Sequence, residues 1–164
     1  MKSMKWLMLV ASMALLPSLA SAQAVLTERT LSYGAALEMA TTALQACRKE
    51  GYSVTITVLN RAGRSKVVLH DDGANPHTLE NSMRKAYTSL TYRVSSGEFG
   101  KRMMATPPPH GAMALDKVTS AEGGLPVMSN KEVIGSIGIS GAPGGHRDAA
   151  CAQAGIDKIA AGLN

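Results

Sequence analysis

The chain predicts a single α+β domain, an antiparallel sheet of about five strands flanked by helices. Three observations carry that expectation. Two pairs of alternating Val/Ile-rich segments are each joined by a tight polar turn, which makes antiparallel hairpins. Helical periodicity opens and closes the folded region and fills the space between the hairpins. The 164 residues have the length of one domain, and their 45% apolar content is enough for a proper core.

Residues 1–22 read as a secretory signal peptide ahead of that domain. Lys2 and Lys5 form a basic n-region, and Trp6–Leu16 is an apolar run too short to span a bilayer comfortably. Ala20-Ser21-Ala22 supplies the small residues for cleavage after Ala22. The expected domain is therefore 23–164, periplasmic in a Gram-negative source and otherwise secreted, with no later transmembrane span.

Thr30 is placed to cap a helix over Leu31–Glu50 that Gly51 closes. Leu31, Ala35, Met39, Ala43 and Cys47 recur every fourth residue and give it one apolar face. Ser53–Leu59 alternates as a strand, Asn60–Gly63 turns, and Arg64–His70 returns. After the loop Asp71–Pro76 come helices over Thr78–Val94 and Ser96–Met103, the second capped by Ser96. Pro107-Pro108-Pro109 forbids helix and imposes extended backbone. A short strand is expected within Gly111–Thr119. Leu125–Met128 and Val133–Ile139 form the second hairpin about Ser129-Asn130-Lys131, and Gly141–Gly145 breaks it. Asp148 then caps a last helix over Ala149–Ala161.

Composition excludes several functions. The formal charge of +5 falls to +3 without Lys2 and Lys5, no Lys/Arg run exists, and Phe99 is the single Phe. Nucleic-acid surfaces need clustered cations with stacking rings, so nucleic acid is not an expected partner. No Cys-x-x-Cys-His, Cys-x-x-Cys or Gly-x-Ser-x-Gly occurs, and the glycine-rich Gly135–Gly141 lacks a P-loop lysine. Those glycines suit close packing of backbone or of a neighbouring subunit. In an exported chain Cys47 and Cys151 form either one bridge or two buried thiols.

Two blocks carry a resemblance. One is GGLPV, then IGSIGISGA, then an Asp followed by CAQAG, over Gly123–Gly155; the other is Asp72–Pro76 followed by Arg84-Lys85-Ala86-Tyr87-Thr88. In that order they resemble the GlcG/HbpS-like family of haem-binding proteins, from about Leu31 to Gly155. The resemblance implies a profilin-like sheet flanked by helices, a homo-oligomer (commonly an octamer) and non-covalent haem as ligand.

Haem requires an axial donor, an apolar slot and cations for two propionates. His77 opens a helix in the region the resemblance places near the ligand. His110 follows the three prolines on stiff backbone, with Met103, Met104 and Met113 available to line a slot. Thr119 matches a threonine that coordinates in relatives. His70, beside Asp71 and Asp72, and His146, among glycines, fit charge pairing and helix-end positions instead. Arg84, Lys85, Lys101 and Arg102 are the candidate cations for propionates. The chain departs from relatives at two places. Glu80 keeps one half of a Glu-x-x-Glu iron pair whose partner here is Met83, and Asn60 stands where many relatives have an acid. The expected function is exported haem binding for sequestration, transport or sensing. Its alternatives are an enzyme acting on haem or a small organic acid, and a ligand-independent partner-binding protein.

Overall fold

The computed structural model describes residues 24–105 and 111–163. The expected signal peptide, the Pro107–Pro109 run and His110 lie outside the described residues. Within them the order is α1 (Tyr33–Lys49), β1 (Thr55–Asn60), β2 (Ser65–His70), α2 (His77–Tyr92) and α3 (Ser96–Met104), then β3 (Gly124–Ser129), β4 (Glu132–Ser140) and α4 (Gly145–Ile159). The sheet order is β2-β1-β4-β3, with every neighbouring pair antiparallel.

The expected α+β class is observed, with four strands rather than about five. Within Gly111–Thr119 there is a 3-10 turn at Gly111–Ala114, because Ala-Met-Ala offers no β-branched side chain to favour a pleated strand. Helix ends also shift. Ser32, not Thr30, caps α1 and accepts the Ala35 amide at 3.2 Å, while Leu31 is drawn into the core and donates to the Ile134 carbonyl. Ser95 caps α3, which frees the Ser96 hydroxyl to accept the Gly124 amide at 2.9 Å.

The two sheet faces differ in chemistry. On one, α1 and α4 bury Val54, Ile56, Val58, Ile137 and Ile139 against Met39, Ala43 and Ala152. Cys47 and Cys151 join these two helices by a disulfide with Cα atoms 5.5 Å apart, so the bridge and not the pair of free thiols is realised. On the other face α2 lies against hydroxyls. Thr57 meets Ser82 at 2.8 Å, Thr55 meets Thr78 at 2.6 Å, and Ser136 donates to the Ala86 carbonyl at 2.8 Å. Gly138 permits that close approach, since a Cβ there would stand 2.1 Å from the Ser82 carbonyl oxygen. Close backbone packing is thus the use of this glycine.

Candidate functional site

Helix α4 begins ahead of Asp148. Gly144 takes the cap position and Asp148 falls in the first turn, which corrects the expected cap. Its carboxylate turns inward instead. Oδ1 accepts the Ala142 amide at 3.0 Å and Oδ2 accepts Lys85 Nζ at 2.7 Å. Lys85 Nζ also donates to the Ile139 carbonyl at 2.8 Å. The pair is almost wholly buried, with 4% and 3% of the two side chains exposed. Burial raises the Asp148 carboxyl above its usual range, while the Lys85 ammonium and the Ala142 amide oppose that rise.

Lys85 is therefore not a solvent-facing cation. It belongs to the sheet-facing row Thr78, Ser82, Lys85 and Ser89 of α2, where its ammonium is committed to Asp148. Arg84, one position earlier, is half-buried at the surface and pairs with Glu80 at 2.6 Å.

The buried pair helps line a hollow of about 360 Å³ between the start of α2, Ala121–Glu122, the end of β4 and the start of α4. Asn81, on its wall, donates to Ser140 Oγ at 3.0 Å. A smaller hollow of about 200 Å³ adjoins it, lined by His77, Glu80, Asn81 and Arg84. His77 and Asn81 belong to both. The His77 imidazole is exposed, and it has no hydrogen-bond partner among the described residues.

The other candidate residues are dispersed. Thr119 is half-buried; its amide donates to Thr88 Oγ1 at 3.0 Å and its hydroxyl accepts the Ala121 amide at 3.2 Å. It shapes the segment that walls the larger hollow without lining it. Arg102 is exposed on α3 in an ion pair with Glu98 at 2.9 Å, and neither it nor Lys101 lines these hollows. His70 Nδ1 bonds Thr55 Oγ1 at 2.6 Å. His146 faces a separate hollow with Tyr52 and Cys151. His110 lies outside the described residues.

An exposed imidazole with a free lone pair can donate to a metal, and Arg84 can meet a carboxylate. No group of three or more His, Cys, Asp or Glu able to hold a metal ion occurs among the described residues. Sequence reasoning missed Asn81 and Ser140 as wall residues and Asp148 as the partner of Lys85. The spacing Thr78, Ser82, Lys85, Ser89 was the available signal, since it sets the lysine on the row of small residues that meets the sheet.

Fold and site together define a compact profilin-like α+β domain with an open polar hollow at one end of α2. A family model described as haem degrading protein HbpS-like matches residues 31–157, and the chain belongs to that family. A double mutant of Streptomyces reticuli HbpS matches with TM-score 0.78 and 30% identity, over 88% of this chain and 97% of that one. The PduOC:heme complex matches with TM-score 0.72 and 22% identity, over 79% and 95% respectively. An uncharacterized 15.0 kDa protein of the dhaT-dhaS intergenic region in Citrobacter freundii is 26% identical, over 68% of this chain and 80% of its own length.

Proposed function

We propose that this protein is exported and binds haem non-covalently, with His77 as iron donor and Arg84 as a propionate partner. The observation that carries the reading is the exposed, unpartnered His77 imidazole at the junction of two hollows, one of which also holds Arg84. Membership of the HbpS-like family supports a haem-related role, and PduOC, of the same fold, was solved with haem. The Cys47–Cys151 bridge supports passage through an oxidising compartment, as expected of a cleaved signal peptide over residues 1–22.

The donor set fits an iron porphyrin held at the surface better than an enclosed one. The walls of the hollow beside His77 carry the polar side chains of Asn75, Asn81 and Ser140. Haem would bring iron-centred ligand and redox chemistry; the chain positions it. His77, as the first residue of α2, holds its imidazole at a fixed helix end, and the buried Lys85–Asp148 pair keeps the floor rigid. Arg84 exchanges Glu80 for a propionate. We also read the protein as a homo-oligomer, the octamer common among relatives.

Hemin titration tests the assignment. The Soret band should shift and saturate near stoichiometry, and His77→Ala should abolish the shift while melting normally. A flat titration sinks the proposal. So does a shift that survives replacement of His77, His110 and Thr119 singly and together. The family description favours one further reading, haem degradation. Loss of Soret absorbance with iron release under reductant and oxygen, persisting with catalase present, would establish it; suppression by catalase would reduce it to coupled oxidation by peroxide.

A further inference from the structure

A second hollow lies at the far end of α2 from His77, about 24 Å away along the helix axis at the usual helical rise. It encloses about 430 Å³. Three cations reach it from three separate places: Arg61 from the β1–β2 turn, Arg93 from the C-cap of α2, and Lys131 from the β3–β4 turn. Leu90, Met128 and Val133 give it apolar surface. One carboxylate is present, Glu132, and it is engaged by Arg61 at 3.2 Å. The side chains of Arg93 and Lys131 have no hydrogen-bond or ion-pair partner among the described residues, although the Arg93 amide donates to the Ser89 carbonyl, so two positive charges face the hollow uncompensated.

The backbone adds an independent observation. Arg93, Asn130 and Lys131, with φ of 59°, 47° and 68°, are the non-glycine residues of positive φ among those described. Two of them line this hollow and the third adjoins it. Their positions, just past a helix end and within a two-residue hairpin turn, are where glycine is the relaxed choice. Long cationic side chains therefore occupy left-handed backbone at two sites that converge on one cavity, and such strain concentrates where side chains have a task.

We propose that this hollow is a binding site for a small organic dianion with an apolar body, a dicarboxylate in chemical class. Arg93 grips one carboxylate with its planar guanidinium fork and Lys131 neutralises the other. Leu90, Met128 and Val133 take the methylene chain between them. Inorganic phosphate satisfies the charges but leaves that apolar surface uncovered, so it binds more weakly.

The test uses the purified protein with adipate, the neutral diamide adipamide and inorganic phosphate, followed by amide NMR shifts. Adipate should move resonances of 90–93 and 128–133 saturably, and adipamide should not. Arg93→Gly and Lys131→Gly should each weaken adipate about tenfold, the effect of losing one charged hydrogen-bonded contact. Neither variant should melt lower than the parent, because glycine relaxes both backbones. Hemin titration should be unchanged in both, which separates this site from the His77 site. The proposal is overturned by adipate affinity unchanged in the glycine variants, by shifts mapping elsewhere, or by equal response to adipamide. Phosphate binding as tight as adipate, or parallel loss of hemin binding, would overturn it as well.

Discussion

Position 85 shows how a neighbour in sequence can have an opposite fate. Arg84 reaches solvent and pairs with Glu80, while Lys85 is buried with Asp148 on the face that meets the sheet. Removing one partner of such a pair leaves an uncompensated buried charge. Lys85→Met should therefore cost about 3–5 kcal/mol in urea unfolding at neutral pH, and adding Asp148→Asn should restore most of that loss. A single-variant cost within experimental error would show that the pair contributes nothing. The pH dependence follows from the raised carboxyl. From its ordinary 3.8 upward to the folded value, the native state holds more protons than the unfolded one, so stability rises as pH falls through that window. Without Lys85 the window widens, and the Lys85→Met penalty should be smaller at about pH 5 than at neutrality.

Asp71 has the opposite sign. Arg48 contacts both its oxygens, with Nε at 3.1 and 3.2 Å, and hydrogen bonding from that guanidinium holds the carboxyl below 3.8. Its contribution is complete above that value and disappears as pH falls through the folded one. Thermal melts across the acid range should show a shallower acid decline for Arg48→Ala than for the parent. An unchanged acid limb would mean that the contact has no energetic weight.

Among the elements, α2 is the one whose seating controls both hollows. It carries His77 at its first residue and Arg93 at its C-cap, and its position depends on Gly138 and the hydroxyl row beneath it. Gly138→Ala places a methyl against the Ser82 carbonyl and should lower stability by about 3 kcal/mol in denaturant unfolding. A cost under about 1 kcal/mol would mean that the helix lifts off easily. The β3–β4 hairpin responds in the other direction. Lys131→Gly should raise stability by about 1 kcal/mol, because glycine meets no Cβ penalty at positive φ.

The helices and hairpins were legible because alternation, four-residue spacing and turn residues are local signals. The fifth strand was misread within Gly111–Thr119, where those signals are weak. Cap residues slipped by a position or more because several Ser, Thr and Asp side chains compete near each helix end and only packing selects one. Leu31 illustrates this: burial removes it from the helix and passes the cap to Ser32.

For the whole molecule the Cys47–Cys151 bridge ties α1 to α4 across 104 residues of chain. Constraining so long a loop in the unfolded state stabilises by about 4–5 kcal/mol, so Cys47→Ala with Cys151→Ala should lower stability by that order. Thiol titration in denaturant should find no free thiol until reductant is added. Detection of two thiols without reductant would refute the bridge and remove one support for export.

Local pattern sufficed for the α+β class, the two hairpins, the helices and the family, because each rests on stretches a few residues long. Tertiary structure alone decided that Cys47 meets Cys151, that Lys85 turns inward to Asp148 at a separation of 63 residues, and that Arg61, Arg93 and Lys131 face one hollow. Those pairings depend on how the helices sit on the two faces of the sheet, and that seating is fixed by burial and close contact between segments far apart in the chain.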